Sequence, residues 1–214
     1  MTQQAAKQAY LSVSTAEAAA DTITGISAAN PGVVTAASHG IADGAIVRIT
    51  GVLGMLQVNN RALVVDNPAA NTFELKGEDT SVHTPYASGG QAFAQTMTEV
   101  SYCRVLGPGF NGEAPDVDVS HLRSLENETL LGMNDPGTLD LQLWYPSVVD
   151  TSHARLRALK RSGAAAAFSI TLASGQIAAF MASVKSFTLE PLNKDGAVGG
   201  TCSLRLRAGE SWFA

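Results

Sequence analysis

The feature that most constrains this chain is the dense succession of turn signals between residues 21 and 95. Short β-rich runs (TITGIS, GVVTAA, AIVRITGV, RALVVDN, TFELKG) alternate there with ANPG, SHGIADG, QVNN and NPAAN. β-Branched side chains fit a pleated surface, while Gly, Pro, Asn and Asp permit the reversals between strands. Runs this short, separated this often, predict a small all-β barrel or sandwich. The stretch HTPYASGGQ closes the unit and reads as a linker into different structure.

From Thr96 the pattern lengthens. TEVSYCRVLG reads as one strand, and PDVDVS places Val117 and Val119 on one face with Asp116 and Asp118 on the other. Residues 121–137 have no clean period and read as a long loop. TLDLQLWY alternates, with Leu139, Leu141, Leu143 and Tyr145 predicted inward and Asp140, Gln142 and Trp144 outward. DTSHARLRALKRSG is the one clear helix: Asp150 or Ser152 caps it, Gly163 ends it, and Leu156 and Leu159 form its apolar face. Arg157, Lys160 and Arg161 lie toward its C-terminal end, where the helix dipole favours cations.

A hairpin turning at Ala173-Ser174-Gly175-Gln176 follows, and TCSLRLRA, with Cys202, Leu204 and Leu206 on one face, supplies a last strand. Near the start, AYLSVSTAEAA reads as a strand through about Thr15. The predicted fold is mainly β. Residues 1–20 and 96–214 form an antiparallel β-sandwich with one flanking α-helix, and residues 21–95 form an inserted small all-β, barrel-like domain.

Composition narrows the function. Hydrophobic residues make up 45% and charged residues 15%, with a formal net charge of −5. A net acidic charge argues against gripping a nucleic-acid backbone, which needs clustered cations. A surface poor in charge suits burial against copies of itself. The N-terminus has no apolar core of a secretion signal, and no apolar run approaches the roughly 20 residues of a membrane helix. The expectation is a soluble chain made in the cytoplasm, without membrane insertion. Cys103 and Cys202 lie in strands outside any CxxC pair, which predicts two buried free thiols and no zinc site.

Motifs that suggest chemistry have simpler readings. GPGFNG at 107–112 matches G-x-G-x-x-G, but Glu113-Ala114-Pro115-Asp116 follows and opens no helix, so a turn is expected, not a nucleotide site. His39, His83, His121 and His153 never pair at helical metal-clamp spacing. Three of them follow a serine, yet a nucleophile and its base must meet in space, and there is no G-x-S-x-G elbow. Each histidine reads as a turn or cap residue, with Ser38-His39-Gly40 as the turn between two strands of the small module. Asp116 and Asp118 read as a solvated sheet face, and Arg155, Arg157, Lys160 and Arg161 as a solvated or subunit-facing helix surface. No catalytic residue, metal ligand or cofactor is predicted, and the chain is not expected to be an enzyme.

Two resemblances cover most of the chain. Residues 96–213 resemble the major tail tube protein of long, non-contractile-tailed bacteriophages. The residues that carry it are TEVSYCRVLGPGFNGEAPDVDVSHLRS, then GTLDLQLWY, SHARLRALKRSG, FSITLASGQIAAFMASVKSFTLEP and GGTCSLRLRAGESWF, in the family's order. Residues 22–90, in ITGISAANPGVVTAASHGIADGAIVRITGVLGMLQVNNRALVV and NTFELKGEDTSVHTPYASGG, are similar to the first catalytic-cysteine half-domain of ubiquitin-activating enzymes. That module carries no cysteine here, so the second resemblance implies a fold without ubiquitin chemistry.

The tail-tube resemblance implies a virion protein that forms stacked hexameric rings, a channel for genome passage. It implies a ring-stacking loop at 121–137, with Leu122, Arg123, Leu125, Glu126, Leu130, Leu131 and Met133 as contact residues. Asp116, Asp118 and Asp140 would give the lumen an acidic face along which DNA slides without binding. Implied partners are copies of the chain, the tail terminator, the distal tail protein and the tape measure protein, with DNA passing only transiently. The module at 21–95 would project outward, since a lumen has no room for six of them. Two alternatives remain open: the inner tube of a phage-derived machine such as a tailocin or secretion system, and a free-standing β protein that binds carbohydrate or a cell surface.

Overall fold

A computed structural model describes residues 9–107, 112–121, 123, 126–133, 135–146, 148–190 and 198–207. The strands are β1 (Tyr10–Glu17), β2 (Asp21–Ile26), β3 (Gly32–Ala36), β4 (Ile46–Leu53), β5 (Ala62–Asp66), β6 (Thr72–Leu75) and β7 (Ser88–Glu99). They continue with β8 (Cys103–Leu106), β9 (Asp116–Asp118), β10 (Thr129–Leu131) and β11 (Thr138–Trp144). The helix α1 (Thr151–Ser162) precedes β12 (Ala165–Thr171), β13 (Ile177–Leu189) and β14 (Gly199–Leu206).

Six strands in the order β2-β3-β6-β5-β4-β7 close into an antiparallel barrel, because β7 also pairs with β2 through Asp21–Ala92 and Thr22–Gln91. Closure removes the exposed edges that so small a sheet would otherwise present. Phe73, Ile23, Ile49, Met55, Leu63 and Leu75 fill the interior. The mainly β class and the small barrel are as the sequence predicts.

Strand β7 belongs to both halves of the molecule. Residues Ser88 to Ala94 pair with β4, whereas Gln95 to Glu99 pair with β1. From there the second sheet runs β7-β1-β12-β13-β14-β11-β8, antiparallel throughout. One face carries Leu11, Val13, Phe168, Phe180, Leu141 and Leu204, covered by Leu156 and Leu159 of α1. The other face meets the barrel, where Ala167, Ala179 and Met181 pack on Ile46, Ala62 and Val64. This explains why Ala166–Ile170 of β12 are buried without a break: alternation marks a strand with one wet face, and this strand has none. The small alanines on the barrel side let the two layers approach closely.

Helix α1 matches its predicted signals. Asp150 accepts from the His153 N–H at 3.0 Å, and Gly163, at φ 66°, donates its N–H to the Leu159 carbonyl. Glycine reaches this left-handed conformation without the strain a side chain would bring. Leu139, Leu141 and Leu143 of β11, Cys202, Leu204 and Leu206 of β14 and the hairpin turn before β13 also lie where the pattern placed them, whereas Tyr145, predicted inward with the first three, falls past the end of β11 and is only half-buried.

Three local expectations are corrected. HTPYASGGQ is not only a linker: β7 starts within it at Ser88, and the Tyr86 hydroxyl donates to the carbonyls of Ile23 and Gly89. TEVSYCRVLG is two strands, not one, since the chain turns between Glu99 and Cys103 with Tyr102 at φ 60°. Residues 121–137 are not all loop. Thr129–Leu131 form β10, which pairs with Asp116–Asp118 of β9, and an apolar pair this short has no period to reveal it.

Candidate functional site

The hairpin of β9 and β10 is a two-stranded sheet separate from the large one, a short arm whose six strand residues are all exposed. At its base the Gly132 N–H donates to the Pro115 carbonyl and the Asp135 N–H to the Glu113 carbonyl. The Arg205 Nη2, on β14, donates to the Asp135 carboxylate at 2.8 Å and moors that base to the sheet. The Asp135 carboxyl is held below its usual range, first by the Gly137 N–H and then by Arg205.

The arm is apolar and acidic together. Leu130, Leu131 and Met133 are 62%, 76% and 92% exposed, and Val117 and Val119 are exposed as well. Glu113, Asp116, Asp118, Glu126 and Glu128 lie along the same stretch. Of the predicted stacking residues, Arg123, Glu126, Leu130, Leu131 and Met133 are exposed on or next to this arm. Leu122 and Leu125 lie outside the described residues, as does most of the GPGFNG turn.

The three predicted lumen carboxylates do not share one sheet. Asp116 and Asp118 sit on β9, and Asp140 sits on β11 of the large sheet, all three exposed. The Asp118 carboxyl accepts from the Ser120 hydroxyl and N–H, and these bonds lower its pKa.

Each histidine has a partner close to it in the fold. His39 follows Ser38 (φ 52°) in the turn after β3, but its ring is buried, at 8% exposure. Nδ1 accepts from the Ile41 N–H at 3.0 Å, Nε2 contacts the Thr72 carbonyl at 3.2 Å, and the ring meets Phe73 edge-on. His83 Nε2 lies 3.5 Å from Glu78, a buried carboxylate already held by both Nη atoms of Arg61. His121 Nδ1 accepts from the Arg123 N–H. His153 points Nε2 at the Ser101 carbonyl, 2.9 Å away, between Tyr145 and Phe187. Its neighbour Ser152 donates instead to Asp150, so Asp150, Ser152 and His153 form a helix cap and not a relay to a nucleophile.

The cysteines differ. Cys202 is buried, and burial pushes its thiol up to about 12, which keeps it protonated and inert. Cys103 is only partly buried, contrary to expectation, because β8 is the last strand of the sheet. Among the described residues, no three His, Cys, Asp or Glu side chains are grouped to hold a metal ion. Among them, too, no helix is long and apolar enough to cross a membrane.

One cleft was not legible in the sequence. It lies between the barrel and the large sheet and has a volume of about 730 Å³. Arg48 of β4, Arg155 of α1 and Arg207 after β14 converge on it with Glu17 at the end of β1. These residues are 17 to 207 positions into the chain, so no local motif links them. The Arg48 guanidinium grips Glu17 through two bonds, and first this pairing holds the Glu17 carboxyl below its usual value, against the opposing effect of burial.

Residues 29–95 match the family model of the ubiquitin-activating enzyme E1 FCCH domain. The matched stretch is less than half of the chain and falls on the barrel strands β3 to β6 and most of β7. It contains no cysteine, since the chain's two are Cys103 and Cys202. No curated protein matches the chain.

Proposed function

We propose that this chain is a structural subunit that assembles with copies of itself into stacked hexameric rings, the tail tube of a long, non-contractile-tailed bacteriophage. The observation that carries the reading is the arm, which leaves Leu130, Leu131 and Met133 in water. A two-stranded ribbon alone is marginal, and each such side chain gains about 1.5–3 kcal/mol when fully buried. A neighbouring copy is the partner that covers all the arms of a ring at once. β8 is the last strand of the large sheet, and its outer edge offers a neighbouring copy a second point of attachment.

In this reading the exposed Asp116, Asp118 and Asp140 face the channel and repel the DNA backbone as it passes. The barrel projects outward, and its likeness to an E1 half-domain is one of fold without thioester chemistry. The tail terminator, distal tail protein and tape measure protein meet the tube at its ends and lumen, and the protein resides in the virion.

Light scattering coupled to size-exclusion chromatography tests the assembly. The wild-type chain is expected to elute as rings or larger species at high concentration, and Leu131→Asp as a folded monomer. A wild-type chain that stays monomeric at every concentration contradicts the reading.

A further inference from the structure

The arginine-lined cleft has chemistry that the tube does not use. Its walls come from separate elements fixed against each other by the Ala167, Ala179 and Met181 contact with the barrel, so the space is preformed. Its volume of about 730 Å³ falls within the usual span of small-molecule sites, roughly 300–1,000 Å³. Three guanidiniums face one carboxylate there, and Arg48 is the one that Glu17 occupies.

The other two form no ion pair among the described residues, although the charge of Arg155 also acts on Glu17. Arg155 donates from Nε to the Ser14 carbonyl at 2.9 Å, which fixes the plane of its fork and leaves the terminal nitrogens without a partner among the described residues. Arg207 donates from Nε to the Ser183 hydroxyl at 2.7 Å, with only a long Nη2 contact of 3.5 Å to the Gly163 carbonyl. A planar fork with free terminal N–H groups matches a carboxylate, which takes two parallel bonds from it. Met181 and Ala165 give the cleft an apolar lining, and Asn60 brings a carboxamide from the barrel side. An apolar surface, an amide and oriented cations together suit a sugar ring that bears an acid group.

We propose that this cleft binds a carboxylate-bearing saccharide of one or two rings, with Arg155 and Arg207 as the groups that take its carboxylate. The site joins barrel to sheet, so an occupied cleft locks the outer module onto the body. The inference stands whether or not the chain forms a tube.

Calorimetric titration of the full chain with glucuronate, glucose and inorganic phosphate at constant ionic strength tests it. Glucuronate is expected to bind saturably and glucose not at all. Arg207→Gln, an exposed position, should weaken glucuronate binding by about tenfold or more with little change in the unliganded melting temperature, and Arg155→Gln should weaken it as much while also lowering that temperature through the lost bond to the Ser14 carbonyl. Arg157→Gln, on the same helix but outside the cleft, should bind like wild type. The proposal is overturned by no saturable glucuronate binding, by phosphate binding alone, or by glucuronate binding that survives both cleft substitutions.

Discussion

Arg48 donates from Nε to Glu17 Oε1 at 2.7 Å and from Nη2 to Oε2 at 2.9 Å, and this fork ties the barrel to the first strand of the large sheet. The guanidinium also lies over the Phe93 ring, 5.0 Å from its centroid, and Gln95 donates to the same carboxylate. The pair is partly exposed, 22% and 40% at the two side chains, so solvent screening limits its worth. Glu17→Gln is expected to cost about 0.5–1 kcal/mol in urea denaturation.

The same carboxylate sets an acid dependence. Its pKa is lowered in the folded chain from 4.5, so its stabilisation is complete above 4.5 and is lost as pH falls through the lower folded value. Urea midpoints measured from pH 6 down to pH 3 should therefore fall less steeply in Glu17→Gln than in wild type.

His39 braces the turn after β3. Replacing it with alanine removes its bonds to Ile41 and Thr72 and leaves a buried gap beside Phe73. His39→Ala should destabilise the barrel by about 1–3 kcal/mol, read by thermal melting, while self-assembly persists.

Gly54 is held at φ 86° where β4 leaves the barrel wall, and a Cβ there would sit 2.3 Å from the Pro85 carbonyl oxygen and 2.7 Å from the Ala87 nitrogen. Both obstacles are backbone, so neither can swing aside. Gly54→Ala should cost about 2 kcal/mol or more by denaturant melting, whereas Gly44→Ala, with open space around the added atom, should cost about 1 kcal/mol.

Asp150 caps α1 and also accepts from the Ser152 hydroxyl. Burial raises its pKa, but these two bonds, a third from Ser101 and the nearby His153 together outweigh it and leave the carboxyl lowered overall. Asp150→Ala should cost about 1 kcal/mol and Asp150→Asn much less, with the difference read from chemical denaturation at neutral pH.

What the sequence made legible follows from which signals are local. Asp150, Leu156, Leu159 and Gly163 mark the helix within one short segment, and Leu139, Leu141 and Leu143 declare their face by alternation. The barrel was legible as a class through its turn residues. Its closure was not, because the pairing of Asp21 with Ala92 joins residues far apart in the chain. β12 hid its two-sided burial behind alanines, whose small side chains fit either a surface or a tight interface. The Arg48, Arg155 and Arg207 cleft was invisible for a related reason: one arginine comes from the barrel, one from the helix and one from the last strand's end.

The most direct test of the account is electron microscopy of the concentrated wild-type protein. Hollow tubes of stacked six-fold rings, with six knobs of barrel density on the outside of each ring, are the expected result. Dispersed single particles, or barrel density inside the channel, would contradict it.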